Sequence, residues 1–148
     1  MNTALNFHPT ITAQIKTKEE NGNVLVWELI RKKWLVCTPE EWVRQHCLVQ
    51  LAELGYPLSG MSTEAGVKVV HRSKRTDIVS YLKGAPIILV ECKAPHVKLS
   101  QDTFDQAFRY NQSIGAPYIW ITNGLQHLSW DCLAQKQLTE IPLAESIR

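Results

Sequence analysis

Residues 87–93 read Ile-Ile-Leu-Val-Glu-Cys-Lys, a run that is apolar on both faces until it ends on a glutamate and a lysine. A strand of this kind needs cover on both sides, which is the position of a central strand in a layered α/β domain. Glu91 and Lys93 are spaced i and i+2, so alternation along the strand puts them on one face. Unpaired charge is expensive to bury. Two charges closing such a strand therefore call for a reason, either a functional site or a structural ion pair.

The rest of the chain divides around this run. Residues 1–20 are polar without clear periodicity and are expected to form a loosely held N-terminal arm, with residues 21–148 as a single domain. Asn21-Gly22-Asn23 signals a turn, and the segments 24–30 and 34–37 flank Arg31-Lys32-Lys33 as an N-terminal β-hairpin. Thr38-Pro39-Glu40-Glu41 marks a helix start, with Thr38 as cap, Pro39 at the first helical position and Glu41 completing a capping box. Val43, Cys47, Leu51 and Leu54 give that helix its apolar stripe, and Gly55 and Pro57 stop it.

Strands are expected over 63–70 and 77–82, with a turn at Lys83-Gly84-Ala85-Pro86 leading into the central run. Gly84 is midway between Asp77 and Glu91, so an even hairpin register sets these carboxylates opposite each other, and a slip of one residue separates them. A second helix begins at Ser100, with Phe104, Ala107, Phe108 and Ile114 as its stripe, and ends at Gly115 and Pro117. Residues 118–122 form another apolar strand, and 128–133 an edge strand after the Asn123-Gly124 turn. The order predicts a mixed α/β fold.

Composition bounds the function. The chain has 148 residues, 45% apolar and 20% charged, enough for one domain with a substantial core. A net charge of +2 excludes a polycation, so contacts to nucleic acid must come from local clusters. Two clusters occur: Arg31-Lys32-Lys33, which reads first as a solvated turn, and Lys68, His71, Arg72, Lys74 and Arg75, which runs into Asp77. Cys37, Cys47, Cys92 and Cys132 contain no C-x-x-C pair, which argues against a zinc site. No apolar run approaches the ~18 residues of a membrane span. A cytoplasmic protein with reduced thiols and no membrane partner is expected.

Asp77, Glu91 and Lys93 suit phosphodiester hydrolysis. Carboxylates hold a divalent metal, the metal acidifies water, and a cation offsets developing negative charge. Asp77 and Glu91 can ligate Mg²⁺ or Mn²⁺ with the backbone carbonyl of Cys92 as a third oxygen, and Lys93 can orient the attacking water. The same three side chains also suit a structural salt-bridge cluster at the end of a sheet. Without metal, the two carboxylates are expected to repel each other. Gln106 and Tyr110 are four apart on the following helix, which should pack over the strand's C-terminal end, where α/β sheets bind ligands. They can contact phosphate or metal-bound water, or simply form a polar helix face. Glu41 has capping as a sufficient role and proximity to the metal as a second. Arg72, Lys74 and Arg75 are candidate phosphate contacts.

Three segments, RKKWLVCTPEEWVRQ (31–45), KRTDIVSYLKGAPIILVECKAPH (74–96) and DQAFRYNQSIGAPYIWITNG (105–124), resemble the PD-(D/E)XK nuclease superfamily, and within it the N-terminal nuclease domain of type I restriction enzyme R subunits. With their spacing they cover roughly residues 24–133. The D…E-x-K pattern joined to Q-x-x-x-Y is more specific than either part.

The resemblance implies a restriction-endonuclease-like three-layer core, a central mixed sheet flanked by helices. It implies Mg²⁺-dependent cleavage of DNA by Asp77, Glu91 and Lys93, with Gln106 and Tyr110 as the accessory motif and Glu41 as the family's helix-one glutamate. DNA is the implied partner, with a second copy or motor and specificity subunits as protein partners. No G-x-x-x-x-G-K-[ST] loop occurs, so ATP-driven translocation by this chain alone is not expected. The other reading is a non-catalytic nucleic-acid-binding or protein-docking module that keeps the fold.

Overall fold

The structure, a computed structural model, describes residues 4–63 and 78–147. The expected helix starts are both present. Helix α2 (Pro39–Glu53) has Thr38 as its N-cap, whose side chain accepts from the Glu41 N–H at 3.0 Å. Helix α3 (Gln101–Ile114) is capped by Ser100, and it ends on Gly115 in the left-handed region at φ 79°, a conformation open to a residue without Cβ. Only half of the expected capping box forms. The Thr38 N–H donates to the Val36 carbonyl, and the Glu41 carboxylate turns instead toward Arg44 and Gln45.

The main sheet has the order β4 (Met61–Thr63), β5 (Ile78–Leu82), β6 (Ala85–Cys92), β7 (Tyr118–Thr122), β8 (His127–Asp131) and β9 (Lys136–Leu138). Strands β6 and β7 are parallel and joined through α3, while every other neighbouring pair is antiparallel. The sheet is therefore mixed. One of its faces packs Ile88, Val90 and Cys92 against Val43, Cys47, Leu48 and Leu51 of α2. The other packs Val79, Leu89, Ile119 and Ile121 against Ala107 and Tyr110 of α3. This is the three-layer α/β arrangement expected from the doubly apolar β6.

The expected hairpin before α2 is present as β2 (Asn23–Glu28) paired with β3 (Lys33–Val36), and β1 (Thr17–Glu20) adds a third strand beside β2. Two other expectations are corrected. The segment 128–133 is not an edge strand, because β9 pairs outside β8. The loosely held arm instead supplies β1 and a short helix, α1 (Pro9–Thr12). Most of the strand expected over 63–70 lies outside the described residues.

Helix α2 is enclosed on nearly all sides. Arg44, Gln45 and His46 are as buried as its apolar stripe, because the small sheet and α1 cover its second face. Each has partners there. Arg44 pairs with the buried Glu28 through Nη2 and with Glu41 through Nη1. Glu28 also accepts from the N–H groups of Ile30 and Arg31 at 2.7 and 2.5 Å, which ends β2 two residues earlier than expected. The Leu29 N–H approaches Gln45 Oε1 at 3.4 Å.

The N-terminal segment is held against the middle of α2, at His46. The Phe7 ring lies 5.0 Å from both the His46 and the His127 rings. His46 Nδ1 donates to the Trp42 carbonyl at 2.8 Å, and its Nε2 accepts from the Thr12 hydroxyl at 2.8 Å. His127 Nε2 donates to the Asn6 carbonyl at 2.9 Å, leaving Nδ1 to accept from Trp120 Nε1 at 3.3 Å.

Candidate active site

The end of β6 is placed by its neighbours on both sides. Toward β7, Glu91 is in register with Ile121, and the Lys93 N–H donates to the Thr122 carbonyl at 2.9 Å. Toward β5, Ile78 pairs with Val90. The hairpin leaves its two-residue turn with Leu82 opposite Ala85 and Tyr81 opposite Pro86, and a bulge between Ser80 and Tyr81 then shifts the register by one. The turn residues Lys83 and Gly84 both have positive φ, 52° and 80°, as a type I′ turn requires.

Alternation along β6 places Leu89 and Glu91 toward α3, and Ile88, Val90 and Cys92 toward α2. Glu91 is 1% exposed, and its Oε2 lies 3.3 Å from Lys93 Nζ, a side chain 20% exposed. A buried carboxylate at a strand end thus lies beside an ammonium that reaches water. The Cys92 thiol is on the opposite face, 3.8 Å from that of Cys47, so only its backbone could serve the Glu91 face.

Tyr110 is buried in the α3 cluster with Leu89 and Ile121, on the sheet face that Glu91 shares. Gln106, one turn earlier, is exposed. Glu41 sits in the α2 layer, on the other side of the sheet, where its Oε2 accepts from Arg44 at 3.1 Å and Gln45 at 2.7 Å. The structure thus brings Glu91 and Lys93 together, puts Tyr110 in the layer above them, and ties Glu41 into the network behind α2. Asp77, Arg72, Lys74 and Arg75 lie outside the described residues. Ile78, the residue after Asp77, is the one that faces Val90, the residue before Glu91. Among the described residues, no three His, Cys, Asp or Glu side chains are gathered as metal ligands.

Asn123 has a part that its turn signal did not disclose. Its Oδ1 accepts from the N–H groups of Leu125 and Gln126 at 2.9 and 2.8 Å, while its Nδ2 donates to the Val97 carbonyl at 2.8 Å. Buried Asn123 therefore ties the segment after Lys93 to the β7–β8 turn. Asn111 does similar work at the end of α3, bonding both the N–H and the carbonyl of Ala116 at 3.0 and 2.8 Å. The Asn123 contacts fix the C-terminal end of the parallel β6–β7 pair, where α/β sheets present their sites, whereas Asn111 fixes the entry into β7 at the opposite end.

None of the helices among the described residues is long and apolar enough to cross a membrane. No curated protein and no solved structure matches the chain. A family model does, the one described as the type I restriction enzyme R protein N terminus, over residues 39–143. The matched span opens at the first residue of α2 and takes in all six strands of the main sheet, leaving β1 to β3 outside it. Glu41, Asp77, Glu91, Lys93, Gln106 and Tyr110 fall within the matched span. This chain belongs to the family of type I restriction enzyme R protein N-terminal domains.

Proposed function

We propose that the chain is a divalent-metal-dependent DNA endonuclease domain that hydrolyses phosphodiesters at the C-terminal end of β6. The observation that supports this most is the buried Glu91 carboxylate with Lys93 Nζ 3.3 Å away, on the face covered by α3. A hard oxygen donor at a strand end suits Mg²⁺ or Mn²⁺. Glu91, Asp77 and the Cys92 carbonyl would hold the ion. When bound, it polarises the phosphate and acidifies water.

The protein's own groups do the rest. Lys93 is anchored by Glu91 yet reaches solvent, so its ammonium can meet the charge that builds on the phosphate during attack. Gln106, exposed on α3, is available to DNA. Tyr110, buried beneath it, holds the helix in position over Glu91. Arg72, Lys74 and Arg75 bind backbone phosphates. DNA is the substrate, the cytoplasm its setting, and motor and specificity subunits the protein partners.

The second reading, a nucleic-acid-binding module without catalysis, draws on the same ion pair, since Lys93 already serves Glu91 as a structural counter-ion. Incubation of the purified chain with supercoiled and with single-stranded DNA separates the two, with Mg²⁺, with Mn²⁺ and with chelator. Metal-dependent nicking that Glu91→Ala eliminates supports the nuclease. DNA binding of unchanged strength with no cleavage under any condition supports the module.

A further inference from the structure

The small sheet β1–β3 has two unlike faces. Its inner face carries Val26 and Glu28, both fully buried against α2. Its outer face is set by the register: Trp27 is opposite Trp34, Leu25 is opposite Val36, and Lys18 is opposite Leu25. Paired residues share a face. The two tryptophan rings meet edge to face at 5.3 Å, and Lys18 Nζ lies 4.5 Å over the Trp34 ring. Val36 is 57% exposed. Neither tryptophan belongs to the apolar clusters on the two sides of the main sheet.

The charges around these rings are mostly positive. Lys16, whose carbonyl accepts from the Trp27 N–H, is exposed, as are Lys18, Arg31, Lys32 and Lys33. Against these five stand the exposed Glu19 and Glu20, with Glu20 Oε1 3.9 Å from Lys18 Nζ, while buried Glu28, opposite Lys33, is held by Arg44 and has Arg31 Nη2 4.0 Å away. A cross-strand tryptophan pair stabilises a ribbon by itself, but that role calls for neither the lysines nor a bare Val36.

We propose that this outer face is a docking platform for single-stranded nucleic acid, with bases stacking on Trp27 and Trp34 and phosphates meeting Lys16, Lys18 and Lys32 of the β2–β3 turn. Aromatic rings flanked by cations on an open sheet bind single strands in this way, without sequence preference. Lys18 is an exposed, flexible chain that can swing from the Trp34 ring to a phosphate as a base takes its place. Duplex DNA offers no unstacked bases, so the platform favours single strands. The inference stands apart from the cleavage chemistry, because the sheet lies outside the matched span and uses neither Glu91 nor Lys93.

The test is fluorescence anisotropy of a labelled oligothymidylate with the whole chain, in chelator so that no cleavage intervenes. Trp34→Ala should weaken binding at least about five-fold, the low end of one stacked base, and Trp34→Phe should restore most of it. Lys16→Ala with Lys18→Ala, both exposed and tolerant of change, should flatten the slope of log K against log salt by about 0.7 for each phosphate no longer neutralised. Glu91→Ala should bind like wild type even where it does not cut. Unchanged affinity and slope in the folded variants would overturn the proposal. So would equal affinity for duplex of the same length, or sedimentation showing that Trp34 holds two copies together while oligonucleotide binding is unaffected.

Discussion

Ile78 stands opposite Val90, one residue out of the register in which the β5–β6 hairpin begins. Leu82 with Ala85 and Tyr81 with Pro86 would, if continued, bring Ile78 to Leu89. The bulge between Ser80 and Tyr81 adds the missing residue. A slip of one turns every side chain to the other face, so turn and bulge together decide what stands beside Glu91. Gly84 at φ 80° holds a conformation that residues with a Cβ rarely adopt. Gly84→Val should cost about 1–3 kcal/mol in urea unfolding. An unchanged midpoint would mean that the turn does not hold the hairpin.

Glu91 and Lys93 give a second expectation. Repulsion between Glu91 and Asp77 in a metal-free site would let Glu91→Gln stabilise, whereas the pairing of Glu91 with Lys93 at 3.3 Å predicts the opposite sign. Removing one partner of a buried pair destabilises, by about 3–5 kcal/mol when both are enclosed. Lys93 reaches water, so the loss should be nearer about 1–2 kcal/mol. Thermal unfolding in chelator checks the sign. A more stable Glu91→Gln would show that repulsion, not pairing, governs the site.

Arg44 should be among the most sensitive positions in the chain. It is fully buried between Glu28 and Glu41, and Glu28 also accepts from two backbone N–H groups. Arg44→Met would leave Glu28 enclosed without its buried partner, with Arg31 at 4.0 Å and two backbone N–H groups as the remaining offset, at about 3 kcal/mol. Glu28→Gln should cost less, since its amide oxygen can still accept from Ile30 and Arg31. Denaturant unfolding of both variants checks the order. Equal and small effects would mean that the network is dispensable.

Burial lowers the pKa of both His46 and His127 below a histidine's usual 6.5, an effect partly offset by the hydrogen bonds to the Trp42 and Asn6 carbonyls. The folded chain therefore holds its proton on these rings less readily than the unfolded chain. Their contribution is intact above 6.5 and is lost as pH falls from there through the lowered folded values. Unfolding free energy should decline as pH falls below that point, and His127→Gln should reduce the decline. An unchanged pH dependence in the variant would show that His127 is not a source of it.

Much of the main sheet could be read from the sequence because its signals are local. Thr38 and Ser100 cap helices through their own hydroxyls, and β6 declares its central place by being apolar on both faces. What escaped depends on distant neighbours. Strand β1, Thr-Lys-Glu-Glu, is exposed at all four positions, so it has no hydrophobic rhythm to detect, and its charges suit an edge. Arg44, Gln45 and His46 fall outside the helix's apolar stripe, and only the small sheet and α1 make them core. The site was legible where motif and strand coincide, at Glu91 and Lys93. Glu41 was legible as a cap partner, but its side chain is directed by Arg44, which is itself drawn inward by Glu28 sixteen positions before it.

The most direct measurement is metal-dependent cleavage of supercoiled DNA by wild type, Asp77→Ala, Glu91→Ala and Lys93→Ala, each shown to be folded by circular dichroism, with Mn²⁺ affinity from calorimetry beside it. The nuclease reading predicts nicking by wild type alone, weakened metal binding in Asp77→Ala and Glu91→Ala, and retained metal binding in Lys93→Ala, whose charge serves the transition state. Folded wild type that binds neither ion and cuts no DNA, or Glu91→Ala that cuts at the wild-type rate, would contradict it.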